Sequence, residues 1–111
     1  MRASIVAIGL SLLAGAMAGY RGASAWAADA VVSQKNRVFA VSQLDIARGD
    51  TVRFTNDDEF LHHIYIKSSD LNFDSREQAP GQTIDVRFRN AGSYEVRCRI
   101  HPKMLVVVTA R

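Results

Sequence analysis

The stretch Cys98-Arg99-Ile100-His101-Pro102-Lys103-Met104 carries a thiol, an imidazole and a thioether at C-x-x-H-x-x-M spacing. Cysteine occurs once in the chain and histidine three times, the other two being the adjacent His62 and His63. Thiolate and thioether suit Cu(I), while imidazole suits both copper oxidation states. One upstream imidazole completes a Cys, two His, Met set, the donor group of a type 1 copper electron-transfer site with a weak axial methionine. Zinc fits less well, because structural zinc sites favour more thiolates and do not use thioether. A Cys-His nucleophile pair would need a pocket and an oxyanion hole, and the sequence signals neither. Taken singly, Cys98 reads as a small buried hydrophobe, Met104 as packing and His101 as a loop residue. Their coincidence in seven residues is what favours metal.

The choice between the two upstream histidines follows from strand parity. His62 to Lys67 reads as a strand with His62, Ile64 and Ile66 on one face and His63, Tyr65 and Lys67 on the other. If the isoleucines face the core, so does His62. The candidate ligands are therefore His62, Cys98, His101 and Met104.

The elements that hold them are strands. Val31 to Val41 contains one or two short strands, with Arg37-Val38-Phe39 the clearest piece, and Leu44 to Ala47 is another, closed by a turn at Arg48-Gly49-Asp50. Thr51 to Thr55 alternates, with Val52 and Phe54 on one face. Asn56-Asp57-Asp58-Glu59 reads as a solvated turn rather than a calcium or docking feature. Ser68 to Gly81 is irregular, with room for one helical turn around Ser75 to Ala79, and Leu71 and Phe73 tuck it onto the core. Thr83 to Arg89 places Ile84, Val86 and Phe88 inward. Ser93 to Cys98 does the same with Tyr94, Val96 and Cys98. The apolar run Leu105 to Thr109 suggests a central strand. The pattern predicts an all-β, Greek-key, two-sheet β-sandwich of about seven or eight strands. Cys98 ends one strand and Met104 precedes the next, so the metal would sit at one end of the sandwich between rigid supports.

The first residues stand apart. Arg2, the apolar run Ile5 to Gly19 and the small-x-small Ala25-Trp26-Ala27 have the layout of a secretory signal peptide, with Ala30 as a second cleavage position. The run of about 15 residues is short of the ~20 a spanning helix needs. The expected division is residues 1–27 as leader and 28–111 as the copper-binding domain. Removing Arg2 and Arg21 lowers the basic side chains from 14 to 12 against 11 acidic ones, so the net charge drops from +3 to +1. No basic stripe with interleaved aromatics appears, which argues against a nucleic-acid partner. A lone cysteine in an exported chain is buried, paired with another chain or bound to metal, and bound metal would stabilise so small a domain.

With these features in place the chain resembles the cupredoxins, most nearly the amicyanin, plastocyanin and pseudoazurin group. The resemblance runs over about Leu44 to Val108. It is carried by Gly49-Asp50-Thr51-Val52, by Asn56 to Ile66, by Ala91-Gly92-Ser93-Tyr94 and by the ligand loop, whose Pro102 after the histidine is amicyanin-like. It implies His62, Cys98, His101 and Met104 as copper ligands and the exposed edge of His101 as the route for electrons. Two positions depart. His63 stands where the family commonly has an asparagine that ties the ligand loops and touches the cysteine sulfur. An imidazole in that role would make the reduction potential pH-dependent. Ile100 replaces a loop proline, which implies a less stiff loop.

The reading is an exported, periplasmic, monomeric type 1 copper protein, not an enzyme, carrying single electrons between redox protein partners, with amine oxidation or respiration as settings. Those partners would dock near His101 with Arg97, Arg99 and Lys103 as a basic rim. The alternative is a periplasmic copper-binding or delivery protein without fast electron transfer. No stable membrane insertion is expected once the leader is removed.

Overall fold

Alternating side chains become two-faced strands in this chain. A computed structural model of the protein describes residues 28–111, and the expected leader, 1–27, lies outside the described residues. Nine strands follow in order: β1 (Ala30–Lys35), β2 (Val38–Phe39), β3 (Gln43–Ile46), β4 (Thr51–Asn56), β5 (Ile64–Lys67), β6 (Asn72–Asp74), β7 (Thr83–Arg87), β8 (Gly92–Cys98) and β9 (Leu105–Ala110). They form a four-stranded sheet in the order β2-β1-β4-β7 and a five-stranded sheet in the order β3-β9-β8-β5-β6. The two sheets are mixed, since β1 runs parallel to β4 and β3 parallel to β9 while the other pairs are antiparallel.

The inward faces match the alternation. Val52, Phe54, Ile64, Ile66, Val86, Phe88, Tyr94, Val96 and Cys98 all belong to one buried core between the sheets. Phe39 meets Phe54 edge to face at 6.0 Å and Phe88 lies 5.3 Å from Tyr94, two aromatic pairs within the core. β9 is flanked by β3 and β8, the central position its apolar run suggested. Leu71 and Phe73 pack against the core from its margin.

Some boundaries differ from the sequence reading. The strand starts at Ile64 rather than His62, which instead forms an isolated bridge to Gln78. That bridge also replaces the helical turn expected around Ser75 to Ala79. Arg76 there takes a positive φ of 64°, and Gln78 exchanges backbone hydrogen bonds with His62 at 2.7 and 3.0 Å. The preceding irregular stretch supplies the extra strand β6. Arg37 lies outside β2, because Asn36 and Arg37, with φ of 57° and 62°, form the tight turn joining β1 to β2. Two left-handed residues are what the twist of a two-residue hairpin requires. Gly49, at φ 92°, turns the chain into β4 as expected from Arg48-Gly49-Asp50.

Candidate metal centre

Antiparallel pairing of β8 with β9 sets the ligand loop. Arg97 lies opposite Leu105, so Cys98 and Met104 emerge side by side at one end of the sandwich, and both are buried. The Met104 N–H donates to the His101 carbonyl at 2.9 Å, which closes the loop and leaves His101 at its apex, half-buried. His62 arrives from the neighbouring strand's approach, fully buried just before β5, whose Ile64 is paired with Cys98. The parity expectation therefore holds for the face of His62, although a bridge rather than a strand delivers it.

These elements bring His62, Cys98 and His101 together so that their donor atoms all lie within 4.8 Å of one another. His62 Nδ1 is 3.6 Å and His101 Nδ1 is 3.9 Å from Cys98 Sγ. His62 Nε2 is engaged by Asp58 Oδ2 at 2.8 Å, so the hydrogen sits on Nε2 and the Nδ1 lone pair is the one facing the sulfur. The sulfur accepts the His63 backbone N–H at 3.4 Å. A thiolate flanked by two imidazole nitrogens, with a buried thioether one turn on, is a donor set that fits copper and has no carboxylate among its inner atoms.

Rings pack over the site. Phe60 lies 5.6 Å from the His62 ring and 5.4 Å from the His101 ring, and the two imidazoles are 5.1 Å apart, inclined at 63°. The Arg37 guanidinium, brought in by the β1–β2 turn, lies 4.7 Å over the Phe60 ring. Burial, followed by the neighbouring His62 ring and the Arg37 charge, lowers the His101 pKa from its ordinary value, with Asp58 opposing. His101 is therefore biased toward the neutral form that can bind metal. Burial pushes the Asp58 carboxyl up, but hydrogen bonds from His62 and from the backbone of Asn36 and Arg37 outweigh it and leave it below the usual carboxylate range.

His63 does not take the place expected for it. Its backbone ties the two ligand segments, through the N–H on sulfur and through a carbonyl that accepts the Arg99 N–H at 2.9 Å. Its imidazole turns away to Asp74. The direct route to a pH-dependent potential, a ring N–H on the sulfur, is thus not the one the fold uses. Asp74 also accepts from the Arg76 backbone and Arg99, and the Arg76 bond, then His63, takes its pKa down to about 2. The basic rim is likewise compensated in part. Arg97 is paired with Glu95 at 3.0 Å and Arg99 with Asp74 at 3.2 Å, its guanidinium also lying 4.0 Å over the Tyr65 ring.

Sequence reasoning missed the supports of His62. Asn56 and Asp58, read as part of a solvated turn, are buried. Asn56 Nδ2 donates to the carbonyls of Phe60 and Gln78, both at 2.9 Å, while its Oδ1 accepts the Asp58 N–H at 2.9 Å. Gln78, also buried, bridges to Gln34 at 2.8 Å and to the Phe54 carbonyl at 3.0 Å. The one hint available was spacing: Asp58 precedes His62 by four residues.

Comparison with known proteins agrees with this geometry. The family model described as copper binding proteins, plastocyanin/azurin family, matches residues 27–110. A chloroplastic plastocyanin of Fritillaria agrestis is 29% identical over 108 residues, 86% of this chain. One from Physcomitrium patens is 25% identical over 72 residues, 57% of this chain. The chain spans 65% and 43% of the length of these curated relatives. Among solved structures, a purple cupredoxin from Nitrosopumilus maritimus superposes with a TM-score of 0.67 at 26% identity, covering 75% of this chain and all of that one. A reduced amicyanin variant gives 0.68 at 23% identity, over 73% of this chain and 80% of that one, a likeness of fold. With its sandwich, its ligand loop and a family match over nearly all the described residues, the chain belongs to the copper-binding plastocyanin/azurin family, the cupredoxins.

Proposed function

We propose that the protein is an exported one-electron carrier in which His62, Cys98, His101 and Met104 hold one type 1 copper ion. The observation that carries this reading is the pair of imidazole nitrogens at 3.6 and 3.9 Å from the Cys98 sulfur. Copper bound there would supply a Cu(II)/Cu(I) couple. The chain's own residues supply the rest. Asp58 and the Gln78 bridge fix the His62 ring, the His63 N–H stabilises negative charge on the sulfur, and Phe60 excludes water. Of the four ligands only His101 is not fully buried, so its ring edge is where a redox protein would meet the site.

The leader is assigned to residues 1–27 and the domain to 28–111, with cleavage after Ala27. The Asp29 N–H donates to the Thr51 carbonyl and its carboxylate accepts the Thr51 N–H, both at 2.8 Å, and Ala30 pairs with Val52. Cutting after Ala30 would strip those bonds from β4. Among the described residues no helix is long and apolar enough to cross a membrane. The setting is the periplasm, between protein donors and acceptors in amine oxidation or respiration, and no enzymatic reaction is assigned. A copper-containing nitrite reductase of Thermus scotoductus shares this fold over 22% of its own chain. That likeness concerns the fold alone.

The test is an absorption spectrum of the processed protein with one equivalent of Cu(II). An intense visible thiolate-to-copper band, absent in Cys98→Ala, is the expected result, together with slow loss of copper to a chelator. A pale protein that yields copper quickly would overturn the carrier reading in favour of copper delivery.

A further inference from the structure

One buried carboxylate holds two distant parts of the chain. Asp58 accepts the Asn36 N–H at 2.6 Å on Oδ1, and the Arg37 N–H at 3.2 Å and His62 Nε2 at 2.8 Å on Oδ2. Its side chain is 5% exposed, and among the described residues the only ion-pair partner it has is the His62 ring. A buried anion without a lysine or arginine beside it is costly. Neutral N–H donors satisfy its lone pairs but do not cancel its charge. A cation reached through the His62 ring would cancel it, as in the carboxylate–histidine–metal arrangements that orient a ligand and raise its basicity.

The hairpin tip needs the same group. Asn36 and Arg37 both lie in the left-handed region, which asparagine visits readily but which crowds the Cβ of a residue such as arginine. Their N–H groups converge on Asp58, and Arg37 then reaches over Phe60 beside both imidazoles. An asparagine at position 58 would have to aim its NH2 either at a backbone N–H or at the protonated His62 Nε2. Both are donors, so one of the contacts would be lost.

We propose that Asp58 is a positioning residue of the copper centre, whose carboxylate locks the β1–β2 turn to the back of ligand His62 and whose charge favours the more positive state of the bound ion. The inference rests on His62 being a ligand, as proposed above. Two consequences follow. The His62 ring is held in place before metal arrives, and the potential is lower than the same site would have with a neutral partner.

Two measurements test it. In Asp58→Asn the preference for Cu(II) over Cu(I) should fall about tenfold, within the range for loss of such a ligand support. For one electron that raises the reduction potential by about 59 mV. Asp58→Glu should return part of the shift. In the metal-free protein, NMR should find the His62 Nε2 proton and the Asn36 and Arg37 amides slow to exchange. All three should exchange at least tenfold faster in Asp58→Asn. An unchanged potential in a folded Asp58→Asn protein would overturn the proposal. So would a wild-type, metal-free His62 ring proton that exchanges as fast as an exposed imidazole, whether or not the variant folds. A wild-type protein without the visible band would instead sink the ligand assignment.

Discussion

At the scale of single residues, the site divides into groups that would touch metal and groups that hold those in place. The former were readable because three of them share a seven-residue loop and the fourth follows from the parity of Ile64 and Ile66. The latter were not. A carboxamide and a carboxylate in Asn56-Asp57-Asp58-Glu59 look solvated, and what buries Asp58 is a turn 21 and 22 residues upstream. Asn56 offers the sharper stability prediction. Asn56→Ala would leave the Phe60 carbonyl and the Asp58 N–H without their partner, while the Gln78 carbonyl would keep only the His62 N–H. Each buried group stranded in this way costs about 1–3 kcal/mol. Because the loop can relax toward water, the expected loss is about 3 kcal/mol, read from urea unfolding of the metal-free protein. A loss below about 1 kcal/mol would mean that this loop is not held by Asn56.

At the scale of elements, alternation predicted faces well and partners poorly. Period-2 patterning names the buried side of β4, β7 and β8, but it carries no information on which strand pairs with which, such as β1 parallel to β4. β6 and the Gln78 bridge lie in a segment without alternation, so nothing local announced them. The pairing of β4 with β7 does make a local prediction. Arg53 stands directly opposite Asp85 and grips it with two bonds, of 2.8 and 3.0 Å. The Arg53 hydrogen bond, opposed by burial and helped by the guanidinium charge, lowers the Asp85 pKa. A carboxyl depressed in the folded state adds stability above its unfolded value near 3.9 and loses it as pH falls through the folded value. With side chains 30% and 42% exposed, solvent screens the pair. Asp85→Asn should therefore cost less than ~1 kcal/mol at neutral pH, and less still in high salt or at pH 3. A cost that stays constant from pH 7 to 3 would show that the pair acts through packing rather than charge.

At the scale of the whole molecule, the proposed function raises the question of what would bring a redox partner to His101. The sequence offered a basic rim, but Arg97 and Arg99 are each tied to a carboxylate. Residues 28–111 carry a net charge of only +1, and these pairs cancel within about a Debye length, ~8 Å at physiological salt. What stands out around the ligands is apolar: Leu61 beside His62 and Ile100 beside His101 are 38% and 43% exposed. Contact at such a patch is governed by shape and desolvation, with little long-range steering. The rate of electron transfer to an acidic redox protein should accordingly change less than about threefold between low and ~0.5 M salt. Ile100→Lys should slow it about tenfold at any salt, with the visible band unchanged. A steep fall with salt that Lys103→Ala flattens would restore the charged rim as the docking device. That outcome would place the steering charge on Lys103, since Arg97 and Arg99 are each paired with a carboxylate.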